Sequence, residues 1–115
     1  MIGNKGKKIM YKFNEDKLIE ELQRYVYDTY GQHYATDKYQ ATDVIIDSGH
    51  GTGFCMGNIM KYAKRYGNKE GANRKDLMKI LHYGLIMLYI HDETEKFFKT
   101  GEWWKIKLVK NNISV

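Results

Sequence analysis

Apolar residues along the first third of the chain recur at helical spacing. Leu18, Ile19, Leu22, Tyr25 and Val26 fall on one face of a helix that starts at Asn14. Asn14 suits the N-cap, and Glu15 and Asp16 suit a first turn facing the positive end of the helix dipole. Gly31 is expected at C′, closing the helix, with residues 32–38 as a loop. A short helix over roughly 40–48 carries Val44, Ile45 and Ile46. Ser48 to Gly53 reads as a flexible turn. Phe54 to Tyr66 then repeats the helical pattern and ends at Gly67, and residues 67–73 form a second loop. The last helix begins near Arg74 and runs past His91 towards Phe98. Its middle, Ile80 to Ile90, is apolar nearly all round, which predicts burial on several sides. In so small a protein, one of those sides is expected to pack against another copy.

At both ends the period changes to two. Ile9, Tyr11 and Phe13 alternate with Met10 and Lys12, and Trp104, Ile106 and Leu108 alternate with Lys105 and Lys107. The two segments are expected to pair as a terminal β ribbon, which would need the helices behind it for stability. The predicted fold is therefore mainly α: about four helices with a two-stranded terminal ribbon, in an oligomer. The 115 residues form one domain, with 1–13 as an N-terminal arm or strand, 14–99 as helical core and 100–115 as a C-terminal strand or tail.

Composition narrows the function classes. Hydrophobic residues make up 43 % and no proline interrupts the helices, so a folded domain is expected rather than a disordered chain. The net charge of +5, with a pI near 9.2, favours anionic partners. Lys5, Lys7 and Lys8 cluster at the start, too few for a DNA-binding arm, and no nucleic-acid reader motif occurs. Cys55 stands alone, so no disulfide forms within the chain. No apolar leader is expected from the start of the sequence, and the richest apolar run, Leu85 to Ile90, is far too short to span a bilayer. The expected location is the cytosol of a host cell, with no membrane association.

Asn58, Lys61 and Arg65 follow at steps of three and four, which places them on one helix face. A lysine and an arginine one turn apart can clamp phosphate oxygens, the arginine as a bidentate fork. Asp76, Lys79 and Tyr83 repeat the spacing on the last helix, with His82 beside them. There Asp76 could accept from a sugar hydroxyl or hold Mg²⁺, Lys79 could meet phosphate, and Tyr83 could stack on a base. Both sets also describe ordinary solvated helix faces. The Gly49–Gly53 turn entering a helix exposes N–H groups suited to an anion, but it has neither Walker nor Rossmann spacing and reads as a turn. His33, with Tyr34, is a loop histidine that could serve as a general base. The histidines and Cys55 lack zinc-ligand spacing, so no zinc is expected, and no nucleophile motif is present.

The order of these residues carries more than any one of them. His33-Tyr34 is followed by Ala41-Thr42-Asp43-Val44-Ile45, then Phe54-Cys55-Met56-Gly57-Asn58-Ile59-Met60-Lys61-Tyr62, then Arg65, Gly67 and Lys69, then Asp76-Leu77, Lys79 and Tyr83. This pattern, over about residues 33–90, resembles a small phage-encoded domain family of largely uncharacterised function. It is similar to the carboxy-terminal part of a phage nucleotide kinase that phosphorylates dTMP and dGMP. Its specific portion is Phe54-Cys55-Met56-Gly57-Asn58-Ile59-Met60-Lys61-Tyr62. The resemblance implies a homo-oligomer and makes Asn58, Lys61, Arg65, Asp76 and Lys79 site residues; with them, His33, Tyr34, Lys69 and Tyr83 complete the expected nucleotide-binding set.

Three functions follow from these readings. One is a nucleoside monophosphate kinase-like enzyme, in which Lys61 and Arg65 neutralise phosphate and Asp76 orients the attacking group or holds Mg²⁺. Another is a phage protein that sequesters a nucleotide, including an immune signal, without turnover. The last is an inhibitor of a host defence protein, with Trp103 and Trp104 as its anchor; the same tryptophans also suit a cap on the domain's own core. The leading expectation is nucleotide binding at a site between the 54–66 and 74–92 helices.

Overall fold

A computed structural model of the chain describes residues 8–33, 37–69 and 71–101. It contains four helices: α1 (Glu15–His33), α2 (Asp37–Asp47), α3 (Gly51–Arg65) and α4 (Arg74–Thr100). The protein is mainly helical, and among the described residues there is no strand.

The strand expected over Ile9–Phe13 is not formed. These residues are exposed and lead into a turn at Lys12-Phe13. The matching segment at Trp104–Leu108, like Trp103, lies outside the described residues. The chain instead turns directly into α1. Asn14 performs that turn with φ of 64°, in the left-handed region, where asparagine is among the few non-glycine residues tolerated. Its carbonyl accepts the first helical hydrogen bond, from the Leu18 N–H at 3.0 Å. The Glu15 carboxylate reaches back to the Phe13 N–H at 2.9 Å, so the helix start is satisfied differently from the expected asparagine side-chain cap.

Gly31 does not end α1. The helix continues to His33, and α2 is already under way at Asp37, so the loop expected over 32–38 is shorter. Glycine permits a helix end but does not impose one.

The turn between α2 and α3 is also tighter than expected. The Gly49 N–H donates to the Ile46 carbonyl and the His50 N–H to the Ile45 carbonyl, each at 3.0 Å, a Schellman closure of α2. Gly49 takes the required left-handed conformation at φ of 90°. Gly51 to Gly53, expected to be loop, already form the first turn of α3. Gly51 is there for space: a Cβ on it would lie 2.8 Å from Ile90 Cδ1 and 3.2 Å from Ile46 Cγ1. The α2–α3 corner thus sits directly on α4.

Between α3 and α4, the Asn73 side chain caps α4 by accepting from the Lys75 N–H at 2.9 Å. The main packing is α3 on α4, with α2 against α3, and α1 against both α4 and α2. The core lies at the α3–α4 contact and contains Cys55, Tyr62, Met78 and Ile90. Arg74 and Glu21 join the start of α4 to α1 through an exposed bidentate ion pair.

Candidate functional site

Tyr62 is the centre of the site. It lies in α3 with its ring buried, and three cations gather around that ring. Lys61 Nζ is 4.6 Å from the ring centroid, Lys79 Nζ 5.2 Å and Arg65 Cζ 5.3 Å. Each distance is within cation–π range. Lys61 and Arg65 come from successive turns of α3, and Lys79 crosses over from α4. None of the three forms an ion pair with a carboxylate among the described residues.

The charges leave their mark on the phenol. Burial pushes Tyr62 up, but the nearby charges of Lys79, Lys61 and Arg65 together outweigh it. Its ionisation falls below the ordinary tyrosine range. Burial instead raises Tyr83 and Tyr25, and the neighbouring phenols add to the rise.

Aromatic rings extend from this centre across α4 to α1. Tyr62 stacks on Tyr83, with centroids 6.3 Å apart and planes 14° apart. Phe54 meets Tyr83 edge-on at 5.8 Å. His82 lies beside Tyr83 at 6.5 Å and meets Tyr25 of α1 edge-on at 5.9 Å. Burial lowers the imidazole below its ordinary range, so His82 is neutral at pH 7.

A groove of about 580 Å³ opens along these rings. Tyr25, Val26, Thr29 and Tyr30 wall it from α1, and Tyr62, Lys79, His82, Tyr83 and Tyr89 from α3 and α4. From α2 come Thr42, Asp43 and Asp47. Of the three cations only Lys79 lines the groove, together with the carboxylates Asp43 and Asp47 of α2. The volume is in the usual range for a small-molecule pocket.

Residues 29–84 match the family DUF3310, described as proteins of unknown function. No curated protein and no solved structure matches the chain. The DUF3310 stretch contains Lys61, Tyr62, Arg65, Lys79 and Tyr83, and so holds the whole cationic centre. It also contains Thr42, Asp43 and Asp47 of the groove lining. Tyr25, Leu85 and Tyr89 lie beyond its ends.

The structure brings together Lys61, Arg65, Lys79 and Tyr83 of the residues expected from sequence. Asn58 is on the same helix as the cations, but its Nδ2 donates to the Phe54 carbonyl at 2.9 Å, within its own helix. Lys69 is exposed in the turn after α3, away from the Tyr62 ring and the groove lining. Asp76 is only 3 % exposed, does not line the groove, and among the described residues leaves Oδ2 without a hydrogen-bond partner. His33 ends α1, its side chain lying outside the described residues, as does Tyr34.

Sequence spacing missed Tyr62, Tyr25 and Asp43. Tyr62 is adjacent to Lys61, and adjacent helix positions do not share a face. Only the side-chain reach of Lys61 brings its ammonium back over the neighbouring ring. Tyr25 enters through helix packing, which no local pattern encodes.

Among the described residues no group of three or more His, Cys, Asp or Glu side chains is placed to hold a metal ion. No helix of the described chain is long and apolar enough to cross a membrane.

Proposed function

We propose that this protein binds a nucleotide, with its phosphate against Lys61, Arg65 and Lys79 and its nucleoside in the aromatic groove. One observation carries the reading: three cations without carboxylate partners among the described residues converge on a single tyrosine ring. Like charges held so close repel one another, and a phosphate dianion would reverse that repulsion. The arginine offers a bidentate fork and the lysines offer point charges.

The rest of the groove suits what a phosphate would carry. Tyr25, His82 and Tyr83 present ring faces and edges for a base. Asp43 and Asp47 in the lining accept hydrogen bonds from amino or hydroxyl groups. A ligand that is anionic at one end and rich in donors at the other meets both kinds of group. The ordinary reading of Lys61 and Arg65 as a solvated polar face does not account for Lys79 joining them from another helix.

The binding reading, in the sense of a phage protein that holds or sequesters a nucleotide, is favoured over phosphoryl transfer. In the kinase-like reading Asp76 holds Mg²⁺ or orients the attacking group, and its carboxylate is buried outside the groove. With no preformed metal cluster, a Mg²⁺ ion there would be held chiefly by the ligand's own phosphates.

The test is a thermal-shift and calorimetric screen against nucleoside mono-, di- and triphosphates and cyclic nucleotides, with and without Mg²⁺. A ligand that binds only the folded chain raises the melting temperature by mass action. Lys61→Ala, Arg65→Ala or Lys79→Ala should each weaken the binding about tenfold or more, as loss of a charge-assisted hydrogen bond does. No shift with any nucleotide sinks the proposal. Binding followed by phosphate transfer to a second nucleotide would restore the kinase reading.

A further inference from the structure

The part of the groove that α2 supplies carries charge of the wrong sign for its place in the helix. Asp43 and Asp47 are one turn apart, both exposed and both in the groove lining. Like charges at this spacing destabilise a helix. Asp47 is also the last residue of α2, at the negative end of the helix dipole, and the last turn of α2 holds no basic residue to offset it.

The rest of the groove does not answer these carboxylates. Neither forms an ion pair among the described residues. Among the described residues Lys79 is the one cation of the lining, and it is held over the Tyr62 ring, 5.2 Å from the centroid. His82, in the same lining, is kept neutral at pH 7 by burial. A locally unfavourable placement that no contact in the fold offsets is expected at a functional position.

The chemistry of the two aspartates narrows what they can meet. A phosphate drawn to Lys79 is repelled by them, so a nucleotide lies with its phosphate away from α2 and its base towards it. An ionised carboxylate only accepts hydrogen bonds. An amino group on the base donates to it in a charge-assisted bond. A ring carbonyl oxygen in the same place sets lone pairs against it and leaves both acceptors unmatched. Stacking on Tyr25 or Tyr83 cannot make this distinction, because every base has a π-face.

We infer that Asp43 and Asp47 set the base specificity of the groove, selecting a base with an exocyclic amino group over one without. The inference rests on the nucleotide reading above and adds to it which bases are admitted.

Calorimetric titration of the full chain with matched nucleotides measures the selection. The pairs are guanosine with inosine, adenosine with inosine and cytidine with uridine, each as 5′-monophosphate and as 5′-triphosphate. In the pair that binds tightest, the amino member should lead by about tenfold or more, the effect of leaving a charged acceptor unmatched. Asp43→Asn with Asp47→Asn should keep the helical circular dichroism, since both side chains are exposed. It should also bring the pair level, because an amide can turn an N–H towards a carbonyl oxygen. Each single asparagine variant should narrow the lead part-way, and serves where the double variant fails to fold. Lys79→Ala should weaken both members and leave their ratio unchanged. Equal affinities within that pair in the wild-type chain overturn the inference and leave nucleotide binding standing. So does a lead that survives the double substitution. A double substitution that weakens both members alike also overturns it, and assigns the carboxylates to the sugar hydroxyls. If no nucleotide binds at all, the nucleotide reading falls and this selection falls with it.

Discussion

Tyr62 and Tyr83 stack at 6.3 Å with their planes 14° apart, and their phenols titrate in opposite directions. The stack joins the cation-bearing turns of α3 to the groove-lining face of α4. Both rings are surrounded by protein, yet only Tyr62 has Lys61, Lys79 and Arg65 around it. Burial governs Tyr83, and charge overrides burial at Tyr62. The difference separates an electrostatic centre from the apolar wall beside it, and each prediction below draws on one side of that division.

Tyr62 should ionise below the other tyrosines. Its folded-state value lies under the ordinary 10.0, so the folded chain releases this proton before the unfolded chain does. The resulting stabilisation is fully present above the unfolded value and is lost as pH falls through the folded one. A titration of phenolate absorbance should show one tyrosine leading the rest. Tyr62→Phe should remove that early phase, and Lys79→Ala should move it upward. Inorganic phosphate should also move it upward, because an anion on the three cations cancels the field that favours phenolate. An early phase indifferent to both phosphate and Lys79→Ala would mean that these charges do not set it.

His82 gives the opposite boundary. Burial lowers its folded-state value below the ordinary 6.5, and so the unfolded chain takes up a proton first as pH falls. Stability from the neutral imidazole is full above the unfolded value and declines through the window below it. Chemical denaturation at pH 7 and pH 5 should show a loss on acidification that is smaller in His82→Asn. Equal losses in both proteins would place the acid sensitivity elsewhere.

Two glycines of α3 should respond in opposite directions to alanine. Gly57 is helical with nothing within 4 Å of a built Cβ, so Gly57→Ala should add on the order of 1 kcal/mol from helix propensity. At Gly51 the same methyl meets Ile90 Cδ1 at 2.8 Å and Ile46 Cγ1 at 3.2 Å. Gly51→Ala should cost about 1–3 kcal/mol, the usual range for overpacking. Urea midpoints measure both, and a stabilised Gly51→Ala would show that the corner yields easily.

The helices were legible because their apolar residues repeat at 3.6, and α3 and α4 start and end close to where the pattern places them. What failed was punctuation. Gly31 looked like a stop and is helix. Gly51 and Gly53 looked like loop and begin α3, because close approach to Ile90, not turn geometry, explains the glycine at 51. The period-two run at Ile9–Phe13 reads as strand and is not one, and the run expected to pair with it lies outside the described residues. The cations were legible as two separate faces, and Lys79 joining Lys61 and Arg65 over one ring was not. That convergence depends on how α4 lies against α3, and so on the packed core rather than on either helix's sequence.

Cys55 offers a readout of that core. Its side chain is fully buried at the α3–α4 contact, and burial pushes the thiol above its ordinary range. A thiol-specific reagent needs an accessible thiolate, and native Cys55 offers neither access nor charge. Labelling should therefore wait for an opening that separates α3 from α4, and should be orders of magnitude slower than in the unfolded chain. Gly51→Ala, which crowds the corner above this contact, should speed labelling in proportion to the stability it removes. Glu21→Gln breaks only the exposed pair with Arg74, worth about 0–1 kcal/mol, and should change the rate little. Rapid native labelling would mean that α3 lifts from α4 locally, without global unfolding. In that case the Lys79 ammonium would be held over Tyr62 only part of the time, and the cationic centre would assemble around its ligand instead of awaiting it.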